Sequence, residues 1–149
     1  MNNNKSNILL VFFLFIITDN IYTYLFAEFL EFISNDMLIF NGNGDSINNN
    51  FLLIVILLPF FETLIFQYII IWIFYNITEN FRIPIIVSTL FFAIYHFFNI
   101  YYFIAILGSG FILSMLFITI YKRTNSWLIS FIFTFLLHLE HNLVAFYIE

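Results

Sequence analysis

The chain has 149 residues, of which 63% are hydrophobic, 23% aromatic and only 9% charged, with a formal net charge of -5. Soluble chains carry about 25% charged residues, so this much apolar side chain excludes a water-soluble domain and defines an integral membrane protein. Four basic residues exclude a nucleic-acid surface, and the lack of cysteine excludes disulfides, thiol catalysis and cysteine-ligated metal.

Long unbroken apolar runs, rich in Phe and Ile, favour spanning helices over the alternating pattern of a membrane barrel. The expected fold is all-α, a polytopic membrane bundle of about five transmembrane helices. Residues 1–7 are a short polar tail containing Lys5. The apolar run from Ile8 passes through Ile21 to Phe26 with no small-x-small cleavage site, so it reads as a retained helix. Tail and helix make a first unit, residues 1–33. Asp19 and Asn20 interrupt this helix, and helix packing or a local water defect is favoured there over a functional carboxylate. Residues 34–50, rich in Asn and Gly, form a polar loop. The membrane core then occupies residues 51–149.

Within the core a helix is expected over about 51–75, then a polar connection over 76–82. Pro84 suits the first turn of the next helix, which covers roughly 85–98. Asn99-Ile100-Tyr101-Tyr102 reads as a tight turn with interfacial tyrosines. A fourth helix runs to about Tyr121, with Gly108-Ser109-Gly110 near its start, where small residues allow close helix contact. Lys122-Arg123-Thr124-Asn125-Ser126 closes it, and Trp127 opens a fifth helix. Five spans place Lys5, Arg82, Lys122 and Arg123 on one side, and the 34–50 loop carries no basic residue. The positive-inside rule then puts the N-terminus in the cytoplasm and the C-terminus outside, with the plasma membrane as the expected location.

Glu62 lies near the middle of the first core run. An Asp at the centre of a spanning helix costs roughly 2.5–3.5 kcal/mol, and a Glu should be similar, so such a group faces a protein interior or a wet cavity. His96, His138 and Asn142 are polar residues in later apolar runs. At about 1.5 Å per residue, Glu62, His96 and His138 fall at compatible depths, which permits one shared site. Residues four apart share a helix face, pairing His138 with Asn142, Phe92 with His96 and Thr63 with Gln67; His141 lies on the His138 side.

A carboxylate and an imidazole in a poorly hydrated pocket can activate a water. A second His with an Asn four residues on supplies donors for a developing oxyanion. Together these suit hydrolysis of a peptide bond by direct water attack, with no cofactor favoured. Zinc is the alternative, with Glu62, His96 and His138 as ligands. However, His138-Leu139-Glu140-His141 has neither the HExxH nor the HxxEH spacing. Helix-to-helix hydrogen bonding is the plain structural reading of the same groups.

The residues also resemble a family pattern, that of the CPBP intramembrane proteases, which include type II CAAX prenyl endopeptidases and Abi, or bacteriocin-immunity, proteins. Their EExxxR motif reads Glu62-Thr63-Leu64-Ile65-Phe66-Gln67 here, FxxxH reads Phe92-Ala93-Ile94-Tyr95-His96, and HxxxN reads His138-Leu139-Glu140-His141-Asn142. The resemblance implies a four-helix core and a membrane-associated protein or peptide substrate in the lipid bilayer. It also implies that Glu62 and His96 activate water, while His138 and Asn142 form an oxyanion hole. Thr63 and Gln67 replace the family's second Glu and its Arg. They read as a compensated, neutral supporting pair able to hydrogen-bond, because both opposite charges are removed together. A non-catalytic binding or immunity protein on the same scaffold is the alternative that these replacements raise.

Overall fold

The computed structural model describes residues 7–33 and 51–148, and the polar tail and the 34–50 loop expected from the sequence lie outside the described residues. Among the described residues there are five helices. They are α1 (Ile8–Ile33), α2 (Leu52–Thr78), α3 (Arg82–Tyr95), α4 (Ile100–Thr124) and α5 (Trp127–Ile148). Four of them are long and apolar enough to cross a membrane, while α3 is a shorter apolar helix of 14 residues.

Each break has a local cause. Glu79 adopts a left-handed conformation (φ 50°) and donates its N–H to the Tyr75 carbonyl at 2.8 Å, which ends α2. The Asn80 side chain then accepts the Arg82 N–H at 2.9 Å and starts α3. Asn125 (φ 52°) closes α4 in the same left-handed way, by a 2.7 Å bond to the Tyr121 carbonyl. Ser126 follows and accepts the Ile129 N–H at 3.3 Å. Lys122 and Arg123 occupy the last turn of α4, where cations favour the helix dipole.

Two boundaries differ from the sequence reading. Helix α3 ends at Tyr95 rather than near Phe98, which leaves His96 just beyond its last turn. Asn99 is not part of a free tight turn but the N-cap of α4, accepting the Tyr102 N–H at 2.8 Å. An early helix start at Ile100 therefore consumes the residues expected to form the turn.

Helix α4 is the centre of the bundle. Its Leu116, Phe117 and Ile120 are fully enclosed, together with Ile71 of α2 and Leu137 of α5. The small residues of α4 work as expected. A Cβ on Gly110 would stand 2.8 Å from Cδ1 of Phe92, so glycine lets that ring of α3 lie directly against the α4 backbone. Ser88 ties three helices together, donating to the Phe66 carbonyl at 2.8 Å and meeting Ser114 Oγ at 2.9 Å.

An aromatic girdle closes the end of the bundle that carries Arg82, Lys122 and Arg123. Tyr75 stacks on Phe81 (4.5 Å between centroids), Tyr121 meets Trp127 (4.4 Å), and Lys122 Nζ sits 4.7 Å above Phe81. Aromatic rings with flanking cations are characteristic of a membrane–water interface.

Candidate functional site

Helix α2 is not uniformly α-helical. Wide π-type turns cover Leu52–Leu57 and Thr63–Ile70, separated by an α segment, Leu58–Glu62. Single π turns inside helices often occur at functional sites, and here the junction falls between Glu62 and Thr63. The consequence is that two consecutive residues address one imidazole on α5. Glu62 Oε2 lies 3.4 Å from His138 Nε2, and Thr63 Oγ1 lies 3.1 Å from His138 Nδ1.

The second imidazole comes from the end of α3. His96 Nε2 lies 3.3 Å from Glu62 Oε1. Its Nδ1 lies 2.9 Å from the Phe92 carbonyl, an oxygen that can only accept, so Nδ1 carries a proton. Neutral His96 then presents a lone pair to Glu62, and the contact is attractive only with one more proton between the two groups. With the Thr63 hydroxyl donating to its Nδ1, His138 is the Nε2–H tautomer, and that N–H faces Glu62 Oε2 at 3.4 Å. Glu62 is thus held between two Nε2 atoms.

Phe92 lines both rings, 4.6 Å from His96 and 5.6 Å from His138 between centroids. The carboxylate and His138 are buried, while the His96 side chain is 20% exposed and forms the accessible edge. Burial without bulk water strengthens each of these polar contacts.

Asn142 is on the same helix as His138 but its amide is engaged elsewhere, donating from Nδ2 to the Ile54 carbonyl at 3.2 Å. Pro59 explains why that carbonyl is free. The Leu58 N–H reaches back five residues to Leu53. The next N–H in the π ladder would come from residue 59 and point at Ile54, but proline has none. Asn142 supplies the missing donor.

Of the neutral pair Thr63 and Gln67, which the sequence reads as able to hydrogen-bond, only Thr63 does so. Both are buried, but the Thr63 hydroxyl crosses to His138, and neither Nε2 nor Oε1 of Gln67 has a hydrogen-bond partner. Thr63 therefore serves the site directly by holding an imidazole. Among the described residues, no group of three or more His, Cys, Asp or Glu side chains is arranged to hold a metal ion.

A second polar cluster joins α1 to α5 at Asp19 and Asn20, where the sequence favours helix packing or a water defect; the partners on α5 are what the sequence does not name. Asp19 Oδ2 lies 2.7 Å from His141 Nδ1, and Asn20 Nδ2 donates to Glu140 Oε1 at 3.1 Å. The signal was present in the sequence, since Asp19 is an ionisable residue inside a spanning run just as Glu62 is.

These helices and contacts define a polytopic integral membrane protein with a carboxylate–histidine centre inside its helix bundle. A family model, Type II CAAX prenyl endopeptidase Rce1-like, matches residues 46–144, and the chain belongs to that family. This agrees with the resemblance to CPBP proteases, and Glu62, His96, His138 and Asn142 all lie within the matched stretch. No curated protein and no solved structure matches the chain.

Proposed function

We propose that this protein is an intramembrane endopeptidase that hydrolyses peptide bonds of membrane-associated proteins or peptides with water activated by Glu62 and His96. The observation that carries the reading is the position of Glu62, buried between the Nε2 atoms of His96 and His138. Family membership supports the reaction class.

In this reading the substrate approaches over the exposed edge of His96. A water admitted there gives a proton to the Glu62–His96 pair as its oxygen attacks the carbonyl carbon. The carbonyl π electrons move to oxygen, and His138 Nε2–H and Asn142 Nδ2 turn from their internal acceptors to that oxyanion. Collapse of the tetrahedral intermediate breaks the C–N bond, and the proton held by the pair passes to the leaving amine. No metal or other cofactor takes part. The reading places the protein in the plasma membrane with a cytoplasmic N-terminus, and Arg82, Lys122 and Arg123 at one end of the bundle support that orientation.

Two other readings compete. The replacement of the family's second Glu and its Arg by Thr63 and Gln67 favours a non-catalytic binding or immunity protein. A zinc protease with Glu62, His96 and His138 as ligands is the third reading. One experiment separates all three: purified protein in liposomes, a pool of membrane-associated peptides, and mass spectrometry of new chain ends. Cleavage lost in Glu62→Gln but indifferent to a chelator is the expected result. Cleavage abolished by the chelator transfers the reaction to zinc. A biological effect that survives Glu62→Gln, without cleavage, favours the binding protein.

A further inference from the structure

The polar contacts of α1 are out of proportion to the rest of that helix. Among its described side chains only Val11 and Asp19 are buried, and Asp19 is 2% exposed. A helix that otherwise turns outward thus commits a carboxylate to the interior. Asp19 meets His141 at 2.7 Å, its neighbour Asn20 reaches Glu140, and the Tyr22 hydroxyl donates to the Ala105 carbonyl at 3.0 Å. All three α1 residues precede the stretch matched by the family model, residues 46–144, so family membership gives them no role.

Helical geometry connects this cluster to the site. With about 100° between successive residues, His141 projects roughly 60° to one side of His138 and Asn142 roughly 40° to the other. Asp19 of α1 holds His141, and the Ile54 carbonyl of α2 holds Asn142. His138 therefore sits between two anchors on opposite flanks of α5. Rotation of the helix in either sense stretches one of them, while the resting site has His138 Nε2 facing Glu62 and Nδ1 on Thr63.

We propose that Asp19 is a positioning residue of the hydrolytic site, acting through His141 to fix the rotation of α5 and so the aim of His138 at Glu62. The assignment rests on the reading of Glu62 and its two histidines as the hydrolytic centre. The orientation it describes is measurable without that activity.

The protein has three histidines, so 15N-histidine labelling of the full chain in lipid nanodiscs gives three assignable rings. Single substitutions of His96 and His141 identify which signals belong to His138. Wild type is expected to show His138 as one Nε2–H tautomer. Asp19→Ala is expected to shift His138 toward a mixture of tautomers. Asp19→Asn, which keeps the size and an acceptor oxygen, is expected to restore the wild-type signals in large part.

Peptide cleavage in the same nanodiscs is expected to fall roughly ten- to a hundredfold in Asp19→Ala, mainly in kcat, the scale of effect for a misaimed catalytic group. Unchanged His138 signals in Asp19→Ala overturn the proposal, whether or not any peptide is cleaved. Should Asp19→Ala fail to fold, His141→Gln is read in the same way. A His138 shift in a protein whose wild type cleaves nothing supports the coupling and counts against the hydrolytic reading alone.

Discussion

Pro59 removes a hydrogen-bond donor that Asn142 replaces. The Ile54 carbonyl would take the N–H of residue 59 in the π ladder of α2, and it takes the Asn142 amide at 3.2 Å instead. A proline in one helix and an asparagine in another are thus two halves of one contact, and that contact is one of the two that bracket His138.

The first prediction concerns this pair. Asn142→Ala leaves the Ile54 carbonyl without a donor, at a cost of about 1–3 kcal/mol, and lowers the unfolding temperature in detergent. In a Pro59→Ala background the restored N–H serves the carbonyl, so the same substitution costs less. A double-mutant cycle measures the coupling. Equal penalties in both backgrounds would show that Pro59 is not the origin of the free carbonyl.

Thr63 holds His138 through its hydroxyl alone. Thr63→Val keeps the shape and deletes the bond, a change worth about 0.5–1.5 kcal/mol, so peptide cleavage should fall by a factor of about 2 to 13. Thr63→Ser should keep most of the activity. The comparison is made by initial rates in liposomes, and equal rates for Val and Ser would remove Thr63 from the site.

Gln67 is fully buried, and neither of its amide atoms has a hydrogen-bond partner. Gln67→Met fills nearly the same volume without a polar group, and should raise the thermal midpoint by the equivalent of about 1–3 kcal/mol. A lowered midpoint would mean that the amide is satisfied by internal water.

Gly110 sets the position of Phe92, the ring that touches both imidazoles. A methyl at Gly110 would meet Phe92 Cδ1 at 2.8 Å. Gly110→Ala should therefore destabilise by about 1–3 kcal/mol, the usual cost of overpacking, and should also depress cleavage by displacing both histidines. Pairing it with Phe92→Leu should recover stability without recovering the aromatic contacts. Calorimetry and rate measurements on the single and double variants distinguish the two effects.

The helices were legible because apolar length and polar breaks are local properties. The left-handed ends at Glu79 and Asn125 fall within the polar stretches marked in the sequence. The close approach at Gly110 follows from a small residue in an apolar run. The shared depth of Glu62, His96 and His138 followed from counting residues along each run. What remained hidden depends on partners far apart in the chain. Spacing puts Thr63 and Gln67 on one face, but says nothing about Thr63 choosing an imidazole on α5. Asp19 reads as a local interruption until His141 is seen beside it. The π turns of α2 left only an indirect trace, Pro59 within an apolar run. Nothing local predicts that the orphaned carbonyl it creates would be answered by Asn142.

Helix α3, 14 residues long, covers about 21 Å of a hydrocarbon layer about 30 Å deep. His96 follows its last turn, and the chain continues in non-helical backbone to Asn99 before α4 begins. Such backbone persists at that depth only when enclosed by protein or wetted from outside. Thinning of the bilayer around α3 is one way a membrane accommodates so short a helix. For the hydrolysis proposed above, bilayer thickness is then an expected control: thin, short-chain lipids should bring the aqueous phase to the histidine and raise cleavage, and thick, ordered ones should lower it.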